Sequence, residues 1–405
     1  MKILFYALNY APEPIGVGRY TGDIGAYFAG QGHAVSVITA VPHYPEWKVA
    51  APFSPYRYTR EQRNGAKVTR CPLFLRRPMR GLWRLLAPCS FAVTSLPVLA
   101  WSILRHRPDI VFCVEPTVFA APAALLFSAL VGARTVLHVQ DLEIDAAFAV
   151  GHLKSARLRL AAVAAESFLM RRFGRIITIS QRMRDFVVAK GVDSARIALV
   201  RNWVDLDAIR PIEGANRFRE EFGWSEALHV ALYAGSIGAK QALNVALDAA
   251  ERLSARSDIL FVIAGDGPAK AGLIERYGHL ANVHFLPPQP EGRMCDLLNL
   301  ADIHLLPQTR GIADLVLPSK LGGMLASGKP VLVTADQGTE LHEVLNGVAI
   351  IVPAGDGEAI ARELAMFADR GRHHPQMGDG RRLLDAMSAR TCLEQIAASV
   401  LAATL

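Results

Sequence analysis

Short apolar runs and helix-spaced segments alternate along the chain from its first residues. Lys2 to Leu8 is a continuous β-type run, Gly18 to Gly30 carries helical spacing, and Val35 to Thr39 is a second β-run. A Pro- and aromatic-rich stretch, Pro42 to Tyr58, follows, and β-runs return at Ile110–Val114, Thr135–Val139 and Ile176–Ile179. Continuous apolar runs separated by helices imply a parallel sheet covered on both faces. The pattern then restarts. His229–Ala234 reads as a strand, Gly235–Lys240 as a loop, and Leu243 to about Arg256 as a helix. Further strands are expected at Ile259–Ala264, Val283–Leu286, Ile303–Leu306, Val331–Val333 and Ala349–Val352. The expected fold class is α/β, with two Rossmann-like, doubly wound domains: residues 1–205, and residues 206–380 after a boundary near Val204 to Gly214. Such units hold ligands at the carboxyl ends of their strands, here facing an inter-domain cleft. A last helix in 381–405 is expected to pack back on the first domain.

Composition narrows the class. The 405 residues are 51% hydrophobic, with a mean hydropathy of +0.23, enough for packed cores. Two apolar stretches, Phe91–Leu104 and Val118–Gly132, are interrupted by Pro97 and Pro122. Both fall short of the roughly 20 residues a spanning helix needs, so buried helices are expected. The apolar start runs into a turn without a cleavage-type site, so no leader is expected. The five cysteines, Cys71, Cys89, Cys113, Cys295 and Cys392, form no CxxC pair. Neither disulfides nor a zinc site is expected, and a reducing cytosol is the natural compartment. No cofactor or metal is expected.

Charge is distributed unevenly. Residues 1–205 hold 26 Lys and Arg against 13 Asp and Glu, whereas residues 206–405 hold 18 against 24. The basic half points to an anionic partner, and no nucleic-acid recognition motif accompanies it. Arg76, Arg77, Arg80 and Arg84 alternate with Leu75, Met79, Leu82, Trp83, Leu85 and Leu86. That mixture reads either as an interfacial segment on an anionic inner membrane or as an ordinary surface helix.

Four segments carry candidate chemistry. Between the first strand and helix, Gly16 and Gly18 allow backbone N–H groups to approach an anion. Their spacing is GxGxxxG and no acid ends the second strand near Thr39–Val41, so phosphate or acceptor fits better than a dinucleotide. Tyr233 to Lys240 ends a strand in a glycine loop and aims Lys240 at one point, suiting a diphosphate, although a solvated lysine would look the same. It lacks the P-loop spacing. Gly265-Asp-Gly-Pro268 is a turn that also suits nucleotide contact. Finally, Asp314, Ser319 and Lys320 precede an apolar helix that stops at Gly328 and Pro330. Ser319 could equally be its N-cap. The pair Gly322-Gly323 costs about 1 kcal/mol per residue inside a helix, which implies that something approaches it closely.

Taken together, the segments NYAPEPIGVGRYTG, AVPHYPEW, HVQDLEIDAAFAVG, LYAGSIGAKQ, GDGP and LPSKLGGMLASGKPV, spread from Asn9 to Val331, resemble glycosyltransferase family four. The likeness is to its members in colanic-acid-like exopolysaccharide assembly. The resemblance implies a GT-B fold, retaining transfer without a dedicated metal, and donor binding in the second domain. It implies that Lys240 holds the donor diphosphate, that Gly265 and Gly267 lie beside the nucleotide, and that Pro287-Pro288-Gln289 meets the base. The Gly16–Gly18 loop would close over the diphosphate, and His138 and Asp141 would lie where acceptor and donor sugar are met. His138 also reads as a core histidine, and Asp141 and Glu143 as surface or capping groups. The family's phosphate arginine is replaced around Ser236, leaving Arg310 or Lys320 to supply the charge. Its second glutamate falls at Gly323, leaving Asp314 as the best substitute. Members resembling this chain are linked to fucosyl transfer from GDP-fucose to a lipid-diphosphate-linked saccharide. The rival classes are a sugar-nucleotide epimerase of the same fold and a non-catalytic sugar-nucleotide sensor.

Overall fold

A computed structural model describes residues 1–76, 82–114, 119–141, 156–310, 317–370 and 380–402. The chain forms two compact units. One holds Met1–Arg201 with the segment from Leu393, the other Asn202–Cys392.

In the first unit the strands are β1 (Lys2–Ala7), β2 (Ala34–Ala40), β3 (Thr59–Arg63), β4 (Ala66–Cys71), β5 (Ile110–Val114), β6 (Arg134–Val139), β7 (Arg175–Thr178) and β8 (Ile197–Leu199). They lie in the order β3-β4-β2-β1-β5-β6-β7-β8. Helices α1 (Val17–Gly30), α2 (Leu82–His106), α3 (Ala121–Val131), α4 (Ala156–Met170) and α5 (Gln181–Ala189) connect them. The order runs outward in both directions from β1 and β5, so the carboxyl ends of that pair are the switch point where ligands bind in such sheets. Phe5 and Phe112 face each other across this pair, with ring centroids 4.8 Å apart.

Three expectations need correction. The sheet is not wholly parallel, because β3 pairs antiparallel with β4. β3 reads TREQR and has no apolar run to announce it. The local signal was its turn: Asn64 and Gly65 both take positive φ, +47° and +80°, as a two-residue hairpin demands. Fully buried Arg70 on β4 fixes the hairpin, pairing with Glu61 at 2.6 Å and donating to the Ala11 and Ala40 carbonyls. Second, Phe91–Leu104 and Val118–Gly132 are not buried all round. Val93, Leu96, Trp101 and Leu104 are exposed, as are Phe119, Leu126 and Leu130, because each helix covers the sheet with one face only. Third, the expected final helix is two helices, described below.

In the second unit β9 (His229–Ala234), β10 (Ile259–Ala264), β11 (Val283–Leu286), β12 (Ile303–Leu306), β13 (Val331–Thr334) and β14 (Ile350–Val352) form a parallel sheet in the order β11-β10-β9-β12-β13-β14. Its helices are α6 (Arg217–Phe222), α7 (Leu243–Arg252), α8 (Lys270–Tyr277), α9 (Met294–Leu300), α10 (Leu321–Ala326), α11 (Glu340–Leu345), α12 (Gly357–Asp369) and α13 (Arg381–Ala386). α14 (Ala389–Leu401) begins in this unit. α7 and α12 pack together over Phe261, Ile263 and Leu305. α13 and α14 separate because Val204 pairs with the chain between them, its N–H donating to Met387 O and its carbonyl accepting from Ala389, both at 2.9 Å. Ser388 Oγ then accepts the Thr391 N–H at 3.2 Å, which caps α14.

Phe112→Ala is expected to destabilise the first unit by about 3–5 kcal/mol, through lost burial and the cavity left against Phe5. Equilibrium chemical denaturation measures it.

Candidate active site

The second unit gathers its polar residues at the carboxyl edge of the sheet. β9 ends at Ala234 and β10 at Ala264, and the turns that follow interlock. The Gly235 N–H donates to Ala264 O at 2.9 Å and the Ile237 N–H to Asp266 O at 2.8 Å. Gly235, Gly265 and Gly267 all take positive φ, +144°, +143° and +155°. A Cβ on residue 265 would sit 1.9 Å from Gly235 O, and one on residue 267 would sit 2.3 Å from Ile237 O. Only glycine can stand at either position.

Lys320 reaches under this loop from the start of α10. Its Nζ lies 2.6 Å from Tyr233 Oη and 4.0 Å from the centre of the Tyr233 ring. A Cβ on Gly235 would lie 2.9 Å from the same Nζ. Tyr233 Oη in turn donates to Ser236 O. Burial raises the Tyr233 phenol well above its ordinary range, so it stays neutral and does not offset the lysine's charge. Burial also pushes Lys320 down to about 7. A second cation, Lys270, binds the Gly265 and Leu286 carbonyls at 2.7 and 3.1 Å. The sequence reading missed Tyr233, which looked like one more strand residue, and Lys270, three residues after the quoted Gly265–Gly267 turn.

Lys240 lies on a short 3-10 turn, Ala239–Gln241, with an exposed side chain. Its carbonyl accepts the Thr309 N–H at 3.1 Å, and Ala239 O accepts Thr309 Oγ1 at 2.8 Å. Ala242 closes this turn at φ +44°, a left-handed conformation rare for alanine and typical of constrained loops. Ser236 is exposed beside Gly235. Arg310 is engaged elsewhere, with Nε 3.0 Å from Asp336 Oδ2 and Nη2 3.3 Å from Ala354 O. Of the two alternative charges, Lys320 is therefore the one beside the glycine turns. Pro288 is exposed after β11, two residues beyond Leu286, whose carbonyl accepts the Gly265 N–H at 3.2 Å.

Other candidates fare differently. Ser319 is exposed and is not the cap of α10, whose N-cap position is Lys320, without a side-chain cap. Asp314 and Glu143 lie outside the described residues. Close approach at Gly322 and Gly323 is made by the protein itself: a Cβ at either would come within 3.1 Å of Val204 or Leu298 respectively. Asp205-Leu-Asp207 is an Asp-x-Asp run, yet Asp205 Oδ1 accepts the Asp207 and Ala208 N–H groups at 2.9 and 3.2 Å. It is a turn cap. Among the described residues no group of three or more His, Cys, Asp or Glu side chains is placed to hold a metal.

In the first unit the loop after β1 is built around a buried acid that the sequence reading passed over. Glu13 Oε1 accepts the His43 and Tyr44 N–H groups, each at 3.0 Å, and Oε2 accepts Asn9 Nδ2 at 2.9 Å. A Cβ on Gly18 would fall 2.5 Å from Glu13 Oε2. Gly18 thus makes room for this carboxylate. Gly16 begins α1 at φ +68°. At the end of β6, His138 is buried against Phe112, its Nε2 3.0 Å from Gln140 Nε2. Burial pushes it down to about 3, so it is neutral at physiological pH. Asp141 is exposed two residues beyond the strand.

Residues 16–203 match the glycosyl transferase 4-like domain, and residues 215–382 match glycosyl transferases group 1. The chain is 38% identical over 371 residues to the colanic acid biosynthesis glycosyl transferase WcaI of Escherichia coli (strain K12), covering 89% of this chain and 90% of that one. The chain belongs to the WcaI family of glycosyltransferases. Its family fold is GT-B. HepE of Anabaena, solved with UDP-glucose, superposes with a TM-score of 0.70 at 15% identity over 99% of this chain and all of that one. WaaG, a glycosyltransferase involved in lipopolysaccharide biosynthesis, gives 0.65 at 17% identity over 98% and 99%.

Two predictions follow for this WcaI-family site. Gly265→Ala is expected to displace the Gly235 turn and destabilise the second unit by about 1–3 kcal/mol, with loss of nucleotide binding seen by calorimetry. The folded chain holds Lys320 at about 7, below the ordinary lysine range of the unfolded chain. Between those values the unfolded state binds more protons, so stability rises with pH from about 7 upward. Lys320→Met should remove that rise. It should also weaken nucleoside-diphosphate binding about tenfold or more, and the wild-type affinity should fall above about pH 7 as the free amine deprotonates.

Proposed function

We propose that the chain is a retaining, metal-independent hexosyltransferase of exopolysaccharide repeat-unit assembly. It moves a sugar from a nucleotide-diphosphate sugar, GDP-fucose or a similar donor, to a lipid-diphosphate-linked saccharide at the cytoplasmic face of the inner membrane. The observation that carries the reading is the pair of interlocked turns at Gly235 and Gly265 with Lys320 beneath them. Glycine turns at adjacent strand ends allow a diphosphate to approach the backbone, and a cation whose partner among the described residues is a neutral phenol leaves its charge available to it. WcaI, named for colanic acid biosynthesis, supports the pathway, and HepE, a structural neighbour solved with UDP-glucose, supports the donor class.

In the proposed reaction the bond between the anomeric carbon and the diphosphate oxygen breaks, and its electron pair leaves with the phosphate. Lys320 and Lys240 offset the charge that develops there, a preorganised electrostatic stabilisation. The acceptor hydroxyl forms the new bond on the same face of the sugar and gives its proton to the departing phosphate. No side-chain base is needed, and His138, buried and neutral with its proton lost above about pH 3, is not asked to be one. The basic first unit takes the anionic acceptor.

The purified protein should be incubated with GDP-, UDP- and dTDP-sugars and a lipid-diphosphate monosaccharide, with products followed by mass spectrometry. Acceptor-dependent gain of one sugar with retained anomeric configuration is expected, undiminished by EDTA and reduced about a hundredfold in Lys240→Ala. Nucleotide release or sugar isomerisation without acceptor would overturn the reading.

A further inference from the structure

Two neighbouring helices of the first unit turn apolar faces outward. Among the described side chains of α2 the exposed large ones are Leu86, Val93, Leu96, Trp101 and Leu104, with Val93 at 72% and Trp101 at 63% exposure. At 100° per residue these positions form one stripe, and Phe91, Leu99 and Ile103 on the other side are fully buried. α3 repeats the arrangement. Leu126 and Leu130 lie outward in line with Phe119, while Ala121, Ala124 and Ser128 face inward. α2 packs against α3, so the two stripes adjoin. Neither α3 nor the stretch from Leu86 to Leu104 contains a charged residue.

Leu86–His106 is long and apolar enough to cross a bilayer by composition. It cannot do so while its inner face remains in the core, so the helix is suited to lie along a membrane rather than through it. Charge supplies the second argument. α2, α3 and α4 each lead into the amino end of a strand, and β5, β6 and β7 are parallel neighbours. The topology therefore lines Arg105 and Arg107, Arg134, and Arg171 and Arg172 along one edge of the sheet, with Asp109 as the acid among them, its carboxylate accepting the Lys2 N–H. An apolar stripe beside an arginine edge matches the acyl boundary and the phosphates of an anionic lipid surface.

We infer that the outward faces of α2 and α3, with this arginine edge, are an interfacial seat on an anionic lipid bilayer. The inference deepens the proposed function and rests on it in one respect: a lipid-linked acceptor is held at such a surface. A second copy of the chain is the poorer occupant, because it would answer the apolar stripes but not the positive charge of exposed Arg105, Arg107, Arg171 and Arg172.

The test is flotation of the full chain with phosphatidylcholine vesicles, with and without one-third phosphatidylglycerol. Wild-type protein is expected to float with the anionic vesicles and to release as salt rises. Trp101→Asp with Leu130→Asp should cut the vesicle-bound fraction about tenfold or more. Arg105→Glu with Arg171→Glu should weaken binding to anionic vesicles most. All four side chains are exposed, and unchanged thermal melting checks that the variants fold. Failure of the wild type to float, or variants that float like it, overturns the seat. So does a wild-type dimer that Trp101→Asp with Leu130→Asp converts to monomer without affecting flotation. Flotation needs neither donor nor acceptor: protein that floats but transfers no sugar keeps the seat and loses the transfer reading. Protein that transfers sugar but never floats does the reverse.

Discussion

Strands β9 and β10 end level with one another, and the turns that leave them are in backbone contact. The Gly235 carbonyl occupies the space that a side chain on residue 265 would need, and the Ile237 carbonyl does the same for residue 267. Backbone hydrogen bonds then join one turn to the other at both ends. This contact sets where exposed Ser236 lies, where α7 starts after Lys240, and how much space remains beneath Gly235 for Lys320. A loop that relied on side-chain packing would shift when a ligand arrived. One locked by main-chain sterics presents the same surface before and after binding, which is the condition for preorganised charge stabilisation.

Each unit places an ion beside a glycine. In the second it is Lys320, packed under the Gly235 turn against a neutral phenol. In the first it is Glu13, packed against Gly18 and saturated by three N–H donors. The difference in partners separates their roles. Glu13 has its hydrogen-bonding capacity filled by the chain and ties together the Asn9 loop and the His43–Tyr44 segment, as a structural buried carboxylate does. Lys320 is desolvated with no opposite charge in its contacts among the described residues, and its lowered proton affinity records what that burial costs.

Much of the architecture was legible because parallel strands are written as unbroken apolar runs: β1, β2, β5, β6 and all the strands of the second unit could be read that way. β3 was not legible, since an edge strand needs no apolar run and TREQR announces nothing; the Asn64-Gly65 turn was the available signal. The glycines at 265 and 267 were legible as a turn, but their interlock with residues thirty positions earlier was not, because spacing carries no information about which carbonyl fills a missing side chain. Gly18 shows the converse. The space left by its missing side chain is filled by a carboxylate of the chain itself, which the motif did not announce. Likewise the apolar runs in α2 and α3 gave helices correctly, while periodicity alone could not tell a helix buried all round from one covered on a single face.

The glycine at 323 has a further consequence, for how such a sequence can change. Resemblance puts an acidic residue of the wider family at this place, yet here the space beside the helix belongs to Leu298, 3.1 Å from where a first side-chain carbon would go. Leu298 is itself part of the packed layer around Phe218 and Leu232. A side chain at 323 would need the Leu298 methyl group to give by a few tenths of an ångström. Positions 298 and 323 are thus coupled: what a side chain at 323 costs depends on how far Leu298 can turn aside, so the two substitutions would not add independently.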